Sequence, residues 1–94
     1  MLPTLSQRAR QSEDVLFQEV GGEAVLLDLA SESYFGLDPV GTRFWSLLEG
    51  STSLASVHQA MLAEYDVEPG QLESDLLALV SRLAEAGLVT LESP

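Results

Sequence analysis

Cysteine is absent from these 94 residues, which excludes a disulfide framework and any thiolate metal or redox centre. That usage fits a cytoplasmic protein. Lysine is absent as well. The only bases are four arginines, set against fifteen acidic residues for a net charge of −11. A protein that binds nucleic acid must neutralise phosphates with a basic face, and this composition cannot supply one. An anionic membrane surface is disfavoured on the same ground. No apolar run approaches the ~18 residues of a membrane span, and the opening Met1-Leu2-Pro3-Thr4-Leu5 lacks the apolar centre of a secretory signal.

The chemistry of an enzyme is equally scarce. His58 is the only histidine; without cysteine it cannot form a zinc site of the usual kind, and its place beside a buried helical stripe makes it a structural residue. Glu64, Asp66 and Glu68 surround a link, but they lack the glycine and the roughly twelve-residue spacing of a calcium loop. Gly21-Gly22 is not followed by a helix, so it is no phosphate cradle. In Glu73-Ser74-Asp75-Leu76-Leu77 the serine lies inside a helix, and its order is wrong for an acyl-carrier attachment site. The carboxylates show no pairing suited to acid–base work. The sequence therefore predicts no catalytic residue, no metal and no cofactor. It points to a binding module, because small domains bind through strand edges and grooves without special residues.

What is present is hydrophobic pattern: 46% of the chain is apolar, enough for one small domain. The organising stretch is Ser33-Tyr34-Phe35-Gly36-Leu37-Asp38-Pro39. Its aromatic run favours extended structure, while Asp38 is a good helix N-cap and Pro39 a good first helical residue. Before it the chain reads as strands, and after it as helices. Residues 1–14 have little periodicity and read as a flexible arm. A folded domain over residues 15–91 begins with Val15 to Val20 as a strand, and Gly21-Gly22 supplies a tight hairpin turn. Glu23 to Leu29 forms the second strand, with Val25, Leu27 and Leu29 sharing one face and Asp28 and Glu23 off it. Tyr34 to Leu37 forms the third. The result is an antiparallel meander with two edges.

Three helices follow. The first runs from Pro39 to about Glu49, with Val40, Phe44, Leu47 and Leu48 on one buried face, Trp45 at its side, and Gly50 as its stop. Hydroxyls of Ser51-Thr52-Ser53 offer an N-cap for the second, Leu54 to Tyr65, whose stripe is Leu54, Val57, Met61, Leu62 and Tyr65. Pro69 opens the third, which reaches about Ala86 on a stripe of Leu72, Leu76, Leu79, Val80 and Leu83. Gly87 ends it, and Leu88 to Leu91 returns as an extended segment. Leu77, Ala84 and Ala86 widen the apolar arc of the third helix beyond what one contact needs. That surplus fits either a central core helix or the wall of an open groove. The groove reading places the backbone edge of Tyr34, Phe35, Gly36 and Leu37 opposite Leu76, Leu79 and Leu83, with Asp75 and Arg82 together at the helix edge.

Three runs carry a family resemblance: Ala24-Val25-Leu26-Leu27-Asp28-Leu29, Tyr34-Phe35-Gly36-Leu37-Asp38, and Gly41-Thr42-Arg43-Phe44-Trp45-Ser46-Leu47-Leu48-Glu49-Gly50. With Asp75 to Val80 and Leu83-Ala84-Glu85-Ala86-Gly87-Leu88-Val89, they resemble the PqqD-like family, the precursor-recognition elements of ribosomally made, modified peptides. The resemblance covers about residues 15 to 91. It implies an α+β, winged-helix-like domain: a three-stranded antiparallel sheet followed by three helices. It also implies a partner: the leader segment of a precursor peptide, added as a strand to the third strand and packed against the third helix. The leader's core peptide is then presented to a modifying enzyme or leader peptidase. The wording Tyr-Phe-Gly-Leu-Asp-Pro-Val-Gly looks closest to the stand-alone members of lasso-peptide clusters. The alternatives are a peptide chaperone of the pyrroloquinoline-quinone type and a non-catalytic winged-helix structural or dimerisation domain. A DNA-binding winged helix would need bases that the second and third helices lack.

Overall fold

The computed structural model describes residues 3–48 and 51–93. Strand β1 spans Arg8–Gln11, β2 Val15–Val20, β3 Glu23–Asp28 and β4 Ser33–Leu37. Helix α1 follows at Pro39–Leu48, then the short strand β5 at Ser51–Ser53, α2 at Leu54–Glu64, α3 at Pro69–Glu85 and β6 at Val89–Glu92. The architecture is α+β, with two three-stranded antiparallel sheets of order β2-β3-β4 and β5-β1-β6.

The meander β2-β3-β4 forms where the sequence predicts it. Gly21 and Gly22 turn the first hairpin with φ of 62° and 86°, the left-handed values a two-residue turn of this kind requires. The second turn is clamped by Asp28, whose carboxylate accepts from the Ala30 amide at 3.1 Å and from the Ser31 hydroxyl at 2.9 Å. Its buried face, however, is the one the sequence reading did not favour. Ala24, Leu26 and Asp28 point into the core, while Val25, Leu27 and Leu29 face outward, and Glu23 shares their side of the strand. Both alternations along β3 are apolar, so periodicity alone could not choose between them. Asp28 is tolerated on the buried side because its oxygens are hydrogen-bonded.

The second sheet corrects the expectation of a flexible arm over residues 1–14 and of a single sheet. Residues 8–11 are its central strand, pairing with β5 on one side and β6 on the other, and Ala9 is 0% exposed. Four residues carrying a single small apolar side chain give no periodic signal. Their place is set by backbone groups that find partners on both sides. Just upstream, the carbonyls of Gln7 and Leu5 accept from the amides of Leu54 and Ala55, two of the amides that a helix N-terminus leaves without an internal partner.

The core lies where the meander, the three helices and the second sheet meet. Phe44, Leu48, Met61, Val80 and Leu83 are fully enclosed, Trp45 nearly so, and the whole predicted stripe of α3 is buried. Burial of each large side chain contributes about 1.5–3 kcal/mol. The predicted cap of α2 is present, with Ser53 Oγ accepting from the Ser56 amide at 3.4 Å. His58 is buried, and its Nε2 donates to the Pro69 carbonyl at 3.0 Å, tying α2 to the first residue of α3. Val40 departs from the predicted buried stripe of α1: it is 38% exposed, because the first turn of the helix overhangs a surface cleft. The expected stop at Gly50 falls outside the described residues.

Candidate functional site

β4 is an edge strand. β3 covers one side of it, in the register Ala24↔Leu37, Leu26↔Phe35 and Asp28↔Ser33, and no described strand covers the other. Alternation sends Phe35 and Leu37 toward the helices and Tyr34 and Gly36 toward the opposite sheet face. The chain then turns sharply into α1. Asp38 caps the helix, its Oδ1 accepting from the Gly41 amide at 2.7 Å, and its carbonyl accepts from the Thr42 amide at 2.8 Å. Gly41 permits the close approach: a Cβ there would lie 3.2 Å from both the Leu37 side chain and the Asp38 carboxylate.

Between this corner and α3 lies a cleft of about 460 Å³. One wall is the β4–α1 corner, Gly36 to Gly41 without Pro39; the other is Asp75, Leu76, Ala78, Leu79 and Arg82 of α3. Asp75, Ala78, Leu79 and Arg82 follow the i, i+3, i+4, i+7 spacing of one helix edge, and Leu76 flanks it on the core side. The Arg82 guanidinium lies 5.8 Å from the centroid of the Phe35 ring, within cation–π range. Asp75 is exposed, and its Oδ1 accepts from Gln71 Nε2 at 2.9 Å. The cleft thus has an apolar floor, Asp75 and Arg82 on its helix-side rim, the helix-capping Asp38 in the opposite wall, and an open row of backbone donors and acceptors along β4. An extended chain fits such an edge by forming a further row of the sheet.

The structure brings together Gly36, Leu37, Asp75, Leu76, Leu79 and Arg82 as the sequence predicts, with Phe35 beside them under Arg82. Two predicted residues stand apart. Tyr34 is 78% exposed on the other face of the sheet, as strand alternation requires. Leu83 is 0% exposed and belongs to the core stripe, so it is removed from the cleft-lining set. Asp38, Val40, Gly41 and Ala78 were missed. Ala78 was legible from its spacing between Asp75 and Arg82; the other three depend on the angle at which α1 leaves the sheet.

These features define a small α+β domain that holds an open strand edge against a helix. Residues 23–89 match the family described as coenzyme PQQ synthesis protein D (PqqD), and the chain belongs to that family. A solved structure of TbiB1 in complex with the TbiA(beta) leader peptide is similar at 40% identity and a TM-score of 0.78, over 85% of this chain and 93% of that one. A second, of lasso peptide synthetase B1 complexed with the leader peptide, is similar at 34% identity and a TM-score of 0.70, over 87% and 96% of the two chains. No curated protein sequence matches the chain.

Proposed function

We propose that this protein binds the leader segment of a ribosomally made precursor peptide of the lasso type. The observation that carries the reading is the uncovered edge of β4 beside the cleft. Leader peptides bound to two similar chains support it. The leader adds as an antiparallel or parallel strand along Tyr34 to Leu37, where backbone hydrogen bonds supply affinity and side-chain pockets supply selection. Leu76 and Leu79 form the floor, and Asp75 and Arg82 meet polar or charged groups of the leader at the rim. The domain itself performs no chemistry. It acts over residues 15–91, with β1 added to that unit, and presents the core peptide to a leader peptidase or another modifying enzyme in the cytoplasm. The helices with the β5-β1-β6 sheet are read as a winged-helix-type arrangement that has lost any basic recognition face. The two leader-bound relatives favour the lasso type over a chaperone of the pyrroloquinoline-quinone type.

The test is titration of the ¹⁵N-labelled protein with a synthetic leader peptide, the TbiA(beta) leader first and then the leader of the precursor encoded beside this gene. The expected result is saturable shifts confined to β4, the start of α1 and α3. Absence of shifts with both peptides at millimolar concentration overturns the reading.

A further inference from the structure

The outer face of the meander carries a second feature that touches the same edge. Gln18, Val25 and Gly36 pair in one cross-sheet row, since Gln18 opposes Val25 and Val25 opposes Gly36. The row ends at Gly36, where a Cβ would have no atom within 4 Å. The neighbouring row ends in Tyr34, with Leu27 and Leu16 behind it. A shallow hollow of about 570 Å³ lies over Val20, Val25 and Gly36, open at the strand edge where Gly36 has no side chain. Glu23 and Asp38 stand on its border, and residues 11–42 contain seven acids and no base.

A strand added to β4 would extend each of these rows by one residue. The side chain beside Gly36 on this face meets no side chain of β4. To touch Val25 it must lie across the glycine, because an added strand and β3 are two strand spacings apart, about 9.6 Å. An aromatic ring laid over Gly36 comes into contact with the Val25 side chain, and alanine does not. Glycine on an edge strand is covered in this way by a large cross-strand neighbour. The border carboxylates repel an acidic group.

We infer that Gly36 is a specificity-determining residue: it selects a peptide whose residue beside it, on the outer sheet face, carries a large uncharged side chain, aromatic by preference, lying across Gly36 onto Val25. This rests on the leader-binding reading. It adds a subsite on the sheet face opposite the cleft, with one occupant, a side chain of the added strand.

The test pairs protein and peptide variants. Gly36→Val occupies the open space above residue 36, and Gly36 is not held at a positive φ, so the variant is expected to melt no lower than the wild type. The probe is the TbiA(beta) leader peptide, or the leader encoded beside this gene if that binds more tightly, with each large apolar residue replaced by alanine in turn. One replacement is expected to cost at least tenfold in affinity with the wild type and less than twofold with Gly36→Val. The unsubstituted peptide should bind Gly36→Val at least tenfold more weakly. In the wild-type complex, that residue's ring protons should show intermolecular NOEs to the Val25 methyls. If the wild type binds neither peptide, the leader-binding reading falls and this inference with it. If the wild type binds but no peptide residue shows NOEs to Val25, or Gly36→Val binds equally well, this inference alone is overturned.

Discussion

Arg82 and Phe35 face each other across the mouth of the cleft, guanidinium over ring at 5.8 Å. The contact joins α3 to β4, two elements that otherwise leave a gap for a guest chain. Arg82 is an exposed cation in a strongly acidic protein, and Asp75 lies on the same helix edge.

Charge reversal at either residue tests the rim. Arg82→Glu forfeits a cation–π contact worth about 0.5–1 kcal/mol at an exposed site, so the melting temperature should barely move. Binding of the leader should weaken at least tenfold, about 1.4 kcal/mol; the same holds for Asp75→Arg. Asp66→Arg, in the α2–α3 link, is the better control than a change at Glu64, which already bonds Arg43. If calorimetry shows Asp75→Arg and Asp66→Arg shifting affinity equally in one direction and Arg82→Glu in the other, only the long-range field matters.

The core prediction concerns Phe44, which is 0% exposed. Phe44→Ala should cost about 3–5 kcal/mol, a large share of the stability of so small a domain. A circular-dichroism melt matching the wild type would remove Phe44 from the core.

Deleting residues 1–11 separates a strand from an arm. Loss of β1 leaves β5 and β6 without their shared partner, at a cost of about 1 kcal/mol for each ladder hydrogen bond not regained from water. The deleted protein should unfold at markedly lower denaturant than the full chain. An unchanged midpoint would restore the flexible-arm reading.

The Arg43–Glu64 pair offers a pH readout. Hydrogen bonds from the Arg43 guanidinium, at 2.6 and 2.7 Å, hold the Glu64 carboxyl below its ordinary value, opposed by desolvation and reinforced by the attraction of the charges. A lowered folded-state value means that the contribution to stability is present above the unfolded-state value and is lost as pH falls through the folded one. The pair is exposed, so the effect on stability is small. An NMR titration should place the Glu64 midpoint below that of an unpaired glutamate, and Arg43→Gln should return it upward.

The helices were the most legible part of the chain. Leu72, Leu76, Leu79, Val80 and Leu83 announce α3 and its buried side together, because a single apolar stripe allows only one orientation. β3 was legible as a strand but not as an oriented one, since Val25 and Leu27 are as apolar as Ala24 and Leu26. β1 and β5 were invisible: Arg-Ala-Arg-Gln and Ser-Thr-Ser are held by backbone pairing, and pairing leaves no trace in side-chain pattern. The α3 wall of the cleft followed from helical spacing. The opposite wall required the corner at Asp38 and Gly41, a matter of angle that one sequence does not encode in its periodicity.

The central place of β1 has a consequence for synthesis. β1 is made before both of its partners and must wait for residues 51–53 and finally 89–92 before its two edges are filled. The meander can close early from neighbouring residues, but the second sheet is among the most non-local pairings the chain could have. Such contacts form slowly and expose unpaired strands meanwhile. A nascent chain stalled before α3 should therefore hold a finished hairpin sheet and an adhesive β1 with one edge unfilled. Completion of the last helix would place both walls of the cleft in register at nearly the moment the second sheet closes.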